Sequence, residues 1–189
     1  MIIQILFLIN TGFNTNPISL EKEHQDVDYM SDTVHYSMRR SEKAITDVKE
    51  LQSIIQSAQV CRLALADHDT PYIVPMYFGM KGNTLYFHCA QKGRKLDIIT
   101  RNPVVCFEIE GDLSIVNTGK PCNWSTRYAS VIGYGTASLV TDPQQKKDAL
   151  AVIVAHYAPD IVYEFQIKKV DEVAVLKVEI TSMTGKKSR

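Results

Sequence analysis

The sequence is short of the features that mark several common classes of protein. Its 189 residues include one tryptophan and four cysteines without any Cys-x-x-Cys pair, and 21 Lys and Arg balance 21 Asp and Glu. A net charge of zero provides no global field to attract nucleic acid or an anionic membrane, so any anion site must be local. The absence of a Cys-x-x-Cys pair among the four cysteines disfavours a zinc or disulfide framework. Cys61, Cys89 and Cys106 stand in or beside apolar runs, which predicts buried free thiols in a reducing cytoplasm.

The amino-terminal stretch does not fit a membrane anchor or a secretory signal. Met1 to Phe13 is apolar, but its uninterrupted run is shorter than the ~20 residues of a spanning helix. It also lacks a positive n-region and a small-residue cleavage site, although a lipoprotein or signal segment stays open as an alternative. The polar stretch from Asn14 to Met38 predicts a poorly ordered arm. We expect residues 1–37 to be an extension and residues 38–185 a single domain.

Periodicity and turn residues predict an α+β domain with a mostly antiparallel barrel and flanking helices. The predicted helices are Val48–Gln56, capped by Thr46 or Asp47, a short one ending near Arg101, and Gln144–Tyr157. The predicted strands are Gln59–Ala66, Tyr72–Met80, Leu85–His88, Val104–Glu110, Tyr128–Val140, Val162–Lys168 and Val173–Ile180. Pro75 marks an edge or a bulge, because proline cannot donate to a ladder. The stretch from Gly111 to Pro121 is predicted to be a loop, and Lys186 to Arg189 a frayed tail.

A cationic turn follows the Leu85–His88 strand. Lys92, Gly93, Arg94 and Lys95 stand where a helix is predicted to begin. A glycine that lets the backbone approach a ligand, with cations at a helix start whose N–H groups are free, suits a phosphate group. A solvated basic turn explains this stretch equally well on its own.

With the strands in order, the sequence resembles the FMN-binding split-barrel superfamily of pyridoxamine 5'-phosphate oxidase. Within it, the chain is most similar to the nitroimidazole-resistance and flavin-nucleotide-binding proteins. The residues that carry the resemblance are the segments Met38–Arg40, Cys61–Leu65, Pro71–Met76, Leu85–His88 with Lys92–Lys95, and Cys122–Gly133.

The resemblance implies a homodimer of six-stranded split barrels that holds two FMN molecules in the grooves between the copies. Carried onto this sequence, the cofactor-binding residues are Arg62, Leu63, Ala64, Val74, Pro75, Met76, His88, Cys89, Ala90, Lys92, Lys95, Trp124, Arg127 and Ser130. The first six would line the flavin ring and ribityl chain, the next five the phosphate end, and the last three would complete the pocket from either copy. The only tryptophan is Trp124, so the carboxyl-terminal pattern that holds pyridoxal phosphate in the parent oxidase is missing.

The expected function is that of a flavin-dependent oxidoreductase. It would pass electrons from a nicotinamide nucleotide or another reductant to a small organic acceptor, for example a nitroaromatic. His88 is the candidate catalytic residue, with a structural histidine and a haem ligand as the alternatives. A non-catalytic flavin carrier and a haem-binding split barrel are the alternative functions, and no metal, nucleic acid or membrane partner is expected.

Some single residues have two open interpretations in the sequence. Trp124 could stack on the ring or serve as packing. Arg62, inside an apolar run, needs either the cofactor or a carboxylate such as Glu108 as its partner. His156 is expected to be structural, and His68 to lie in a turn.

Overall fold

The computed structural model describes residues 38–160 and 170–188. Eight strands and three helices lie in these residues. The strands are β1 (Ala44–Ile45), β2 (Cys61–Asp67), β3 (Thr70–Met76), β4 (Phe78–Lys81), β5 (Thr84–Cys89), β6 (Val104–Val116), β7 (Ser125–Leu139) and β8 (Ala174–Lys187). The helices are α1 (Val48–Ser57), α2 (Arg94–Arg101) and α3 (Pro143–Tyr157), with short 3-10 helices at Ser41–Lys43 and Pro121–Asn123.

All strand pairs given by the described residues are antiparallel. The sheet order is β3-β2-β6-β7-β8-β5-β4, and β1 pairs with the end of β8. Strand β8 therefore pairs with three others: β7 along most of its length, β5 over its first half and β1 over its last residues. The predicted α+β class with a mostly antiparallel sheet and flanking helices is confirmed.

The core lies on one face of the sheet, because alternate residues of each strand point to the same side. On β2, Cys61, Leu63 and Leu65 are buried. Phe107 on β6 stands opposite Gly133 on β7, and a Cβ at that glycine would lie 2.2 Å from the Phe107 ring. The glycine thus makes room for an aromatic ring whose full burial contributes about 1.5–3 kcal/mol.

The two longer helices begin within one residue of where the sequence predicts. The Asp47 side chain accepts a hydrogen bond from the Lys49 N–H and caps α1, and Asp142 caps α3 through the Gln145 N–H. Such caps stabilise a helix start by about 1 kcal/mol each. Helix α3 packs so closely on β4 that a Cβ at Gly79 would lie 2.5 Å from the Val152 carbonyl oxygen.

Three element boundaries differ from the sequence predictions. The predicted strand Tyr72–Met80 is two strands, β3 and β4, because the chain leaves the β3 edge after Met76 and joins the far end of the sheet. This division and the additional two-residue strand β1 give eight strands in the described residues. Pro75 does lie on an edge strand, as predicted.

The other two differences are extensions. The predicted Gly111–Pro121 loop is wrong for its first half, because β6 continues through an irregularity at Gly111 to Val116. The predicted frayed tail is wrong for Lys186 and Lys187, which pair in β8; the Lys187 ammonium also lies 2.5 Å from the Glu50 carboxylate. Cross-strand partners far away in sequence supply these hydrogen bonds, so local composition does not reveal them. The predicted strand Val162–Lys168 lies outside the described residues.

Candidate functional site

The cationic turn does form the start of a helix. Gly93 is the residue before α2 and has φ 143° and ψ 163°, a conformation open essentially to glycine alone. Its carbonyl accepts hydrogen bonds from the N–H groups of Leu96 and Asp97. The N–H groups of Arg94 and Lys95 belong to the first turn, where a helix has no partner for them. This helix start therefore presents unpaired donors and a positive dipole end to an anion.

Asp67 holds α2 in place on the β2–β3 hairpin. Its carboxylate accepts a hydrogen bond from Arg101 at 2.7 Å and lies 3.7 Å from the Arg94 guanidinium. The Arg94 guanidinium also lies 4.8 Å from the centre of the Tyr72 ring, a cation–π distance. The hydrogen bond from Arg101 lowers the pKa of Asp67. One carboxylate thus anchors both ends of a helix that is only two turns long.

The Arg94 side chain therefore already contacts Asp67 and Tyr72, whereas the two lysines of the turn differ from it. Among the described residues, neither Lys92 nor Lys95 forms an ion pair within 4 Å. Lys92 is exposed and Lys95 is half-buried. The available positive charge at the start of α2 therefore belongs to these two lysines.

The face of the sheet opposite the core carries several small and apolar residues. We call the outward-pointing residues of β3, β2, β6 and β7 the outer face. Across it, Ala64 stands between Ile73 and Cys106, and Cys106 stands next to Tyr134. Ile73 and Tyr134 are exposed, together with Val104 and Ile132 elsewhere on this face. A surface on which small residues such as Ala64 and Cys106 lie side by side leaves room for a planar ligand.

An ionic cluster occupies the next row of the outer face. The Arg62 Nη1 donates to Glu108 at 2.9 Å and to Glu110 at 3.0 Å. Arg62 stands between Pro75 and Glu108 in the sheet, and Glu108 raises its pKa. Glu108, which the sequence predicts as one of two possible partners of Arg62, does contact it. One arginine and two glutamates leave the cluster with one excess negative charge.

The structure brings part of the expected binding set together. Arg62, Ala64 and Pro75 share the outer face, whereas Leu63 is fully buried in the core, so only its backbone is open to a ligand. Val74 and Met76 also point inward and pack with the core.

The β5 members of the set lie elsewhere. His88 is exposed and stands opposite Val175 of β8. Three strands, β8, β7 and β6, separate β5 from β2 in the sheet, so the structure does not place His88 beside Arg62. Cys89 is half-buried against the core, with Ala90 exposed after it. The catalytic role of His88 stays a prediction.

The last three residues of the set lie on or before β7. Trp124 is exposed and directly precedes the strand, Arg127 pairs with Ser114, and Ser130 pairs with Glu110. Arg127 also lines a cavity of about 260 Å³ with Glu50 and Lys187. Ser130 is the member of this group that stands next to the ionic cluster.

Sequence reasoning did not identify Asp67, Tyr72 or Glu110 as parts of this region. Their roles depend on contacts made across the sheet and from α2, such as the 34-residue separation between Asp67 and Arg101. The one local sequence signal for this region is Asp67, an acidic residue at the end of a strand that is followed by a tight turn. His68 in that turn has φ 55°, which confirms its predicted place in a turn.

The cysteines are free thiols, as predicted. Cys61 is buried, Cys89 and Cys106 are half-buried, and Cys122 is exposed. Burial raises the pKa of Cys61, Cys89 and Cys106, which keeps these thiols protonated and poorly nucleophilic. The described residues contain no group of three or more His, Cys, Asp or Glu side chains placed to hold a metal ion.

The mostly antiparallel sheet with its flanking helices places the chain in the split-barrel class of α+β domains. The chain belongs to the pyridoxamine 5'-phosphate oxidase family, whose family model matches residues 47–187. This match confirms the family resemblance seen in the sequence. Among the described residues, no helix has the length and apolar character needed to cross a bilayer.

Two solved structures and one curated relative illustrate the similarity. A candidate 5-nitroimidazole antibiotic resistance protein from Bacteroides thetaiotaomicron VPI-5482 is 33% identical, with a TM-score of 0.68 over 76% of this chain and 85% of that chain. The FAD and haem binding protein from Mycobacterium smegmatis is 18% identical, with a TM-score of 0.69 over 78% of this chain and 74% of that chain, so it shows the fold alone. The uncharacterized protein RA0666 of Rhizobium meliloti (strain 1021) is 36% identical over 61 residues, or 32% of this chain. That match spans 40% of the relative's own length.

Proposed function

We propose that the protein is an FMN-binding oxidoreductase that acts as a homodimer, with the flavin between the outer face of one copy and the partner. The observation that carries the proposal is the start of α2, where Lys92 and Lys95 have no ion-pair partner among the described residues and Asp67 retains Arg94. A phosphate dianion needs such donors, and each charged hydrogen bond contributes about 1.5–3 kcal/mol. The 5-nitroimidazole resistance relative supports a nitroaromatic as the acceptor.

The residues present fit a flavin mononucleotide. Ala64 and Pro75 on the outer face leave room for a planar ring, and Ile73 supplies an exposed apolar contact. Asp67 holds the α2 start at the turn end of the same hairpin and, by strand alternation, points to the core side with Leu65. A flavin on the outer face would therefore place its phosphate at the helix start by reaching around the end of the hairpin. Arg62, retained by two carboxylates, would orient Glu108 and Glu110 as hydrogen-bond acceptors toward ligand hydroxyls rather than receive the phosphate.

The separate roles of the flavin and of the protein residues follow from these positions. When bound, the flavin supplies hydride transfer between a nicotinamide nucleotide and a small organic acceptor. The protein residues hold the phosphate, orient the ring against the sheet and leave one ring face open to the reactants. We place the protein in the cytoplasm, where its four free thiols stay reduced.

Lys95→Ala tests the phosphate site. Loss of one charged hydrogen bond weakens FMN binding by about 10- to 150-fold, measured by quenching of flavin fluorescence on titration with apoprotein. Lys49→Ala on the exposed side of α1 is the control and leaves affinity unchanged. Equal affinities of the two variants would overturn the assignment of the phosphate to α2.

The absorbance spectrum of the purified protein separates the alternatives. A flavin spectrum that is bleached by a reduced nicotinamide nucleotide and restored by a nitroaromatic supports the oxidoreductase. A flavin spectrum that no donor bleaches indicates a carrier, and a Soret band in its place indicates a haem protein.

A further inference from the structure

A cleft lies around the turn between β4 and β5, on other elements than the outer face. One cavity of about 450 Å³ lies between α1, the end of β4 and α3, and we call it the α3 cavity. A second cavity of about 390 Å³ lies between the first half of α3 and strands β4, β5 and β8. Lys81 and Val152 line both, so the two cavities adjoin at these residues. Each volume falls within the range of about 300–1,000 Å³ that is typical of small-molecule sites.

The walls of the α3 cavity are mostly apolar. Met80, Val152, Ala155 and Pro159 line it. Met80 is half-buried and packs against the core, which limits its freedom to move. A methionine thioether makes favourable contacts with aromatic rings, so these walls suit the ring of an aromatic ligand.

The charge available at the edge of the α3 cavity is positive. Lys81 lines the cavity, and among the described residues it forms no ion pair within 4 Å. The described lining of this cavity contains no Asp or Glu. The charged groups of the second cavity have partners of their own: Lys177 lies 2.6 Å from Glu179, and Asp148 accepts a hydrogen bond from Gln144. A carboxylate in the α3 cavity therefore has Lys81 as its counter-ion.

A polar pair lines the cavity between α1 and α3. Gln56 and His156 line both the α3 cavity and a smaller cavity of about 150 Å³ beside it. The His156 Nε2 lies 2.7 Å from the Ala58 carbonyl oxygen. Because a carbonyl only accepts, Nε2 carries the proton and Nδ1 is left as an acceptor. The Gln56 amide has a donor and an acceptor, so this pair suits a hydroxyl group, which both donates and accepts.

We propose that the α3 cavity binds a hydroxyaromatic carboxylic acid. The carboxylate pairs with Lys81, and the ring lies against Met80 and Val152. The hydroxyl group hydrogen-bonds with Gln56 and His156. Because none of β2, β3 and β6 lines this cavity, the acid and the proposed flavin occupy separate sites.

The first experiment measures binding of para-hydroxycinnamate to the full chain by isothermal titration calorimetry. The wild type binds it saturably, and Lys81→Ala weakens binding about tenfold, because a charged hydrogen bond is lost. Lys120→Ala is the matched control, since Lys120 is an exposed lysine that lines neither cavity. The neutral amide of the same acid binds the wild type about tenfold more weakly, but binds Lys81→Ala as well as the acid does. Absence of saturable binding, or equal affinities of the two lysine variants, overturns the proposal.

The second experiment tests where the hydroxyl group lies. Cinnamate, which lacks the hydroxyl, binds the wild type more weakly than para-hydroxycinnamate. Gln56→Ala removes this difference, because it weakens binding of the hydroxylated acid alone. An equal loss for both acids contradicts the assigned orientation, since the hydroxyl group would then lie away from Gln56.

The third experiment locates the acid by NMR of the methionine methyl groups. The Met80 signal, identified as the one missing from Met80→Leu, shifts on addition of para-hydroxycinnamate because the ring lies against it. A shift confined to other methionines places the acid elsewhere and overturns the proposal. Circular dichroism of each variant verifies folding.

Competition with FMN separates this inference from the flavin proposal. Saturating FMN leaves the affinity for para-hydroxycinnamate unchanged, whereas displacement of the acid by FMN puts it on the flavin surface and overturns the inference. If the acid shifts Met80 but FMN does not bind, the α3 cavity stands and the flavin assignment fails. If FMN binds and the acid does not, the opposite holds.

Discussion

At the scale of single residues, Tyr157 connects three parts of the chain that are distant in sequence. Its hydroxyl accepts a hydrogen bond from the Phe78 N–H at 3.0 Å and donates to the Gln59 carbonyl at 2.8 Å. The neighbouring His156 Nε2 lies 2.7 Å from the Ala58 carbonyl oxygen, which confirms its predicted structural role. The end of α3 thereby fixes both the start of β2 and the passage from β3 to β4.

Tyr157→Phe is expected to lower the free energy of unfolding by about 1–3 kcal/mol, because it leaves the partly buried Phe78 N–H without an acceptor. Urea unfolding followed by circular dichroism measures the change. Tyr77→Phe is the control, since Tyr77 is exposed and contacts Tyr157 through its ring. A loss of similar size in both variants would mean that the hydroxyl of Tyr157 contributes nothing specific.

At the scale of elements, the docking of α2 depends on ionised Asp67. Arg101 and Arg94 stabilise the charged carboxylate and lower its pKa below the ordinary value of 3.8. A carboxyl group with a lowered folded-state pKa stabilises the protein above its unfolded-state pKa and loses this contribution as the pH falls through the folded-state value. The effect is confined to acid pH.

Asp67→Asn should therefore have a lower melting temperature than the wild type at pH 7, and the gap should close as the pH falls below about 3.8. Thermal unfolding between pH 2 and pH 7 provides the comparison. Asp69→Asn, in the same turn, is the control. A gap between wild type and Asp67→Asn that persists unchanged at pH 2 would rule out this ionic role.

Elements with a strong local signal were predicted well, and those that depend on distant partners were not. The starts of α1 and α3 depend on local residues, and the structure confirms both to within one residue. The stretch from Gly111 to Pro121 was expected to be a loop, but its residues up to Val116 belong to β6 because they pair with β7. In the site, the lysines of the turn could be identified, whereas the anchoring of Arg94 by Asp67 could not, since it joins separate elements.

At the scale of the whole molecule, a bound ligand should raise stability by mass action. FMN at about 100 times its dissociation constant adds about 2.7 kcal/mol to the free energy of unfolding. Differential scanning fluorimetry with FMN and with riboflavin, which lacks the phosphate, tests this. Riboflavin at the same concentration should raise the melting temperature less, because the α2 start then has no anion to hold. Equal shifts would place the binding energy in the ring alone.

The position of β8 has a consequence for biogenesis. This strand is made after every other described strand, yet it lies between β7 and β5 and also pairs with β1. Until β8 has been synthesised, β5 and β7 have no common neighbour and the two halves of the sheet remain separate. Until then the nascent chain has unpaired strand edges, and such edges are the sites where partly folded chains associate wrongly.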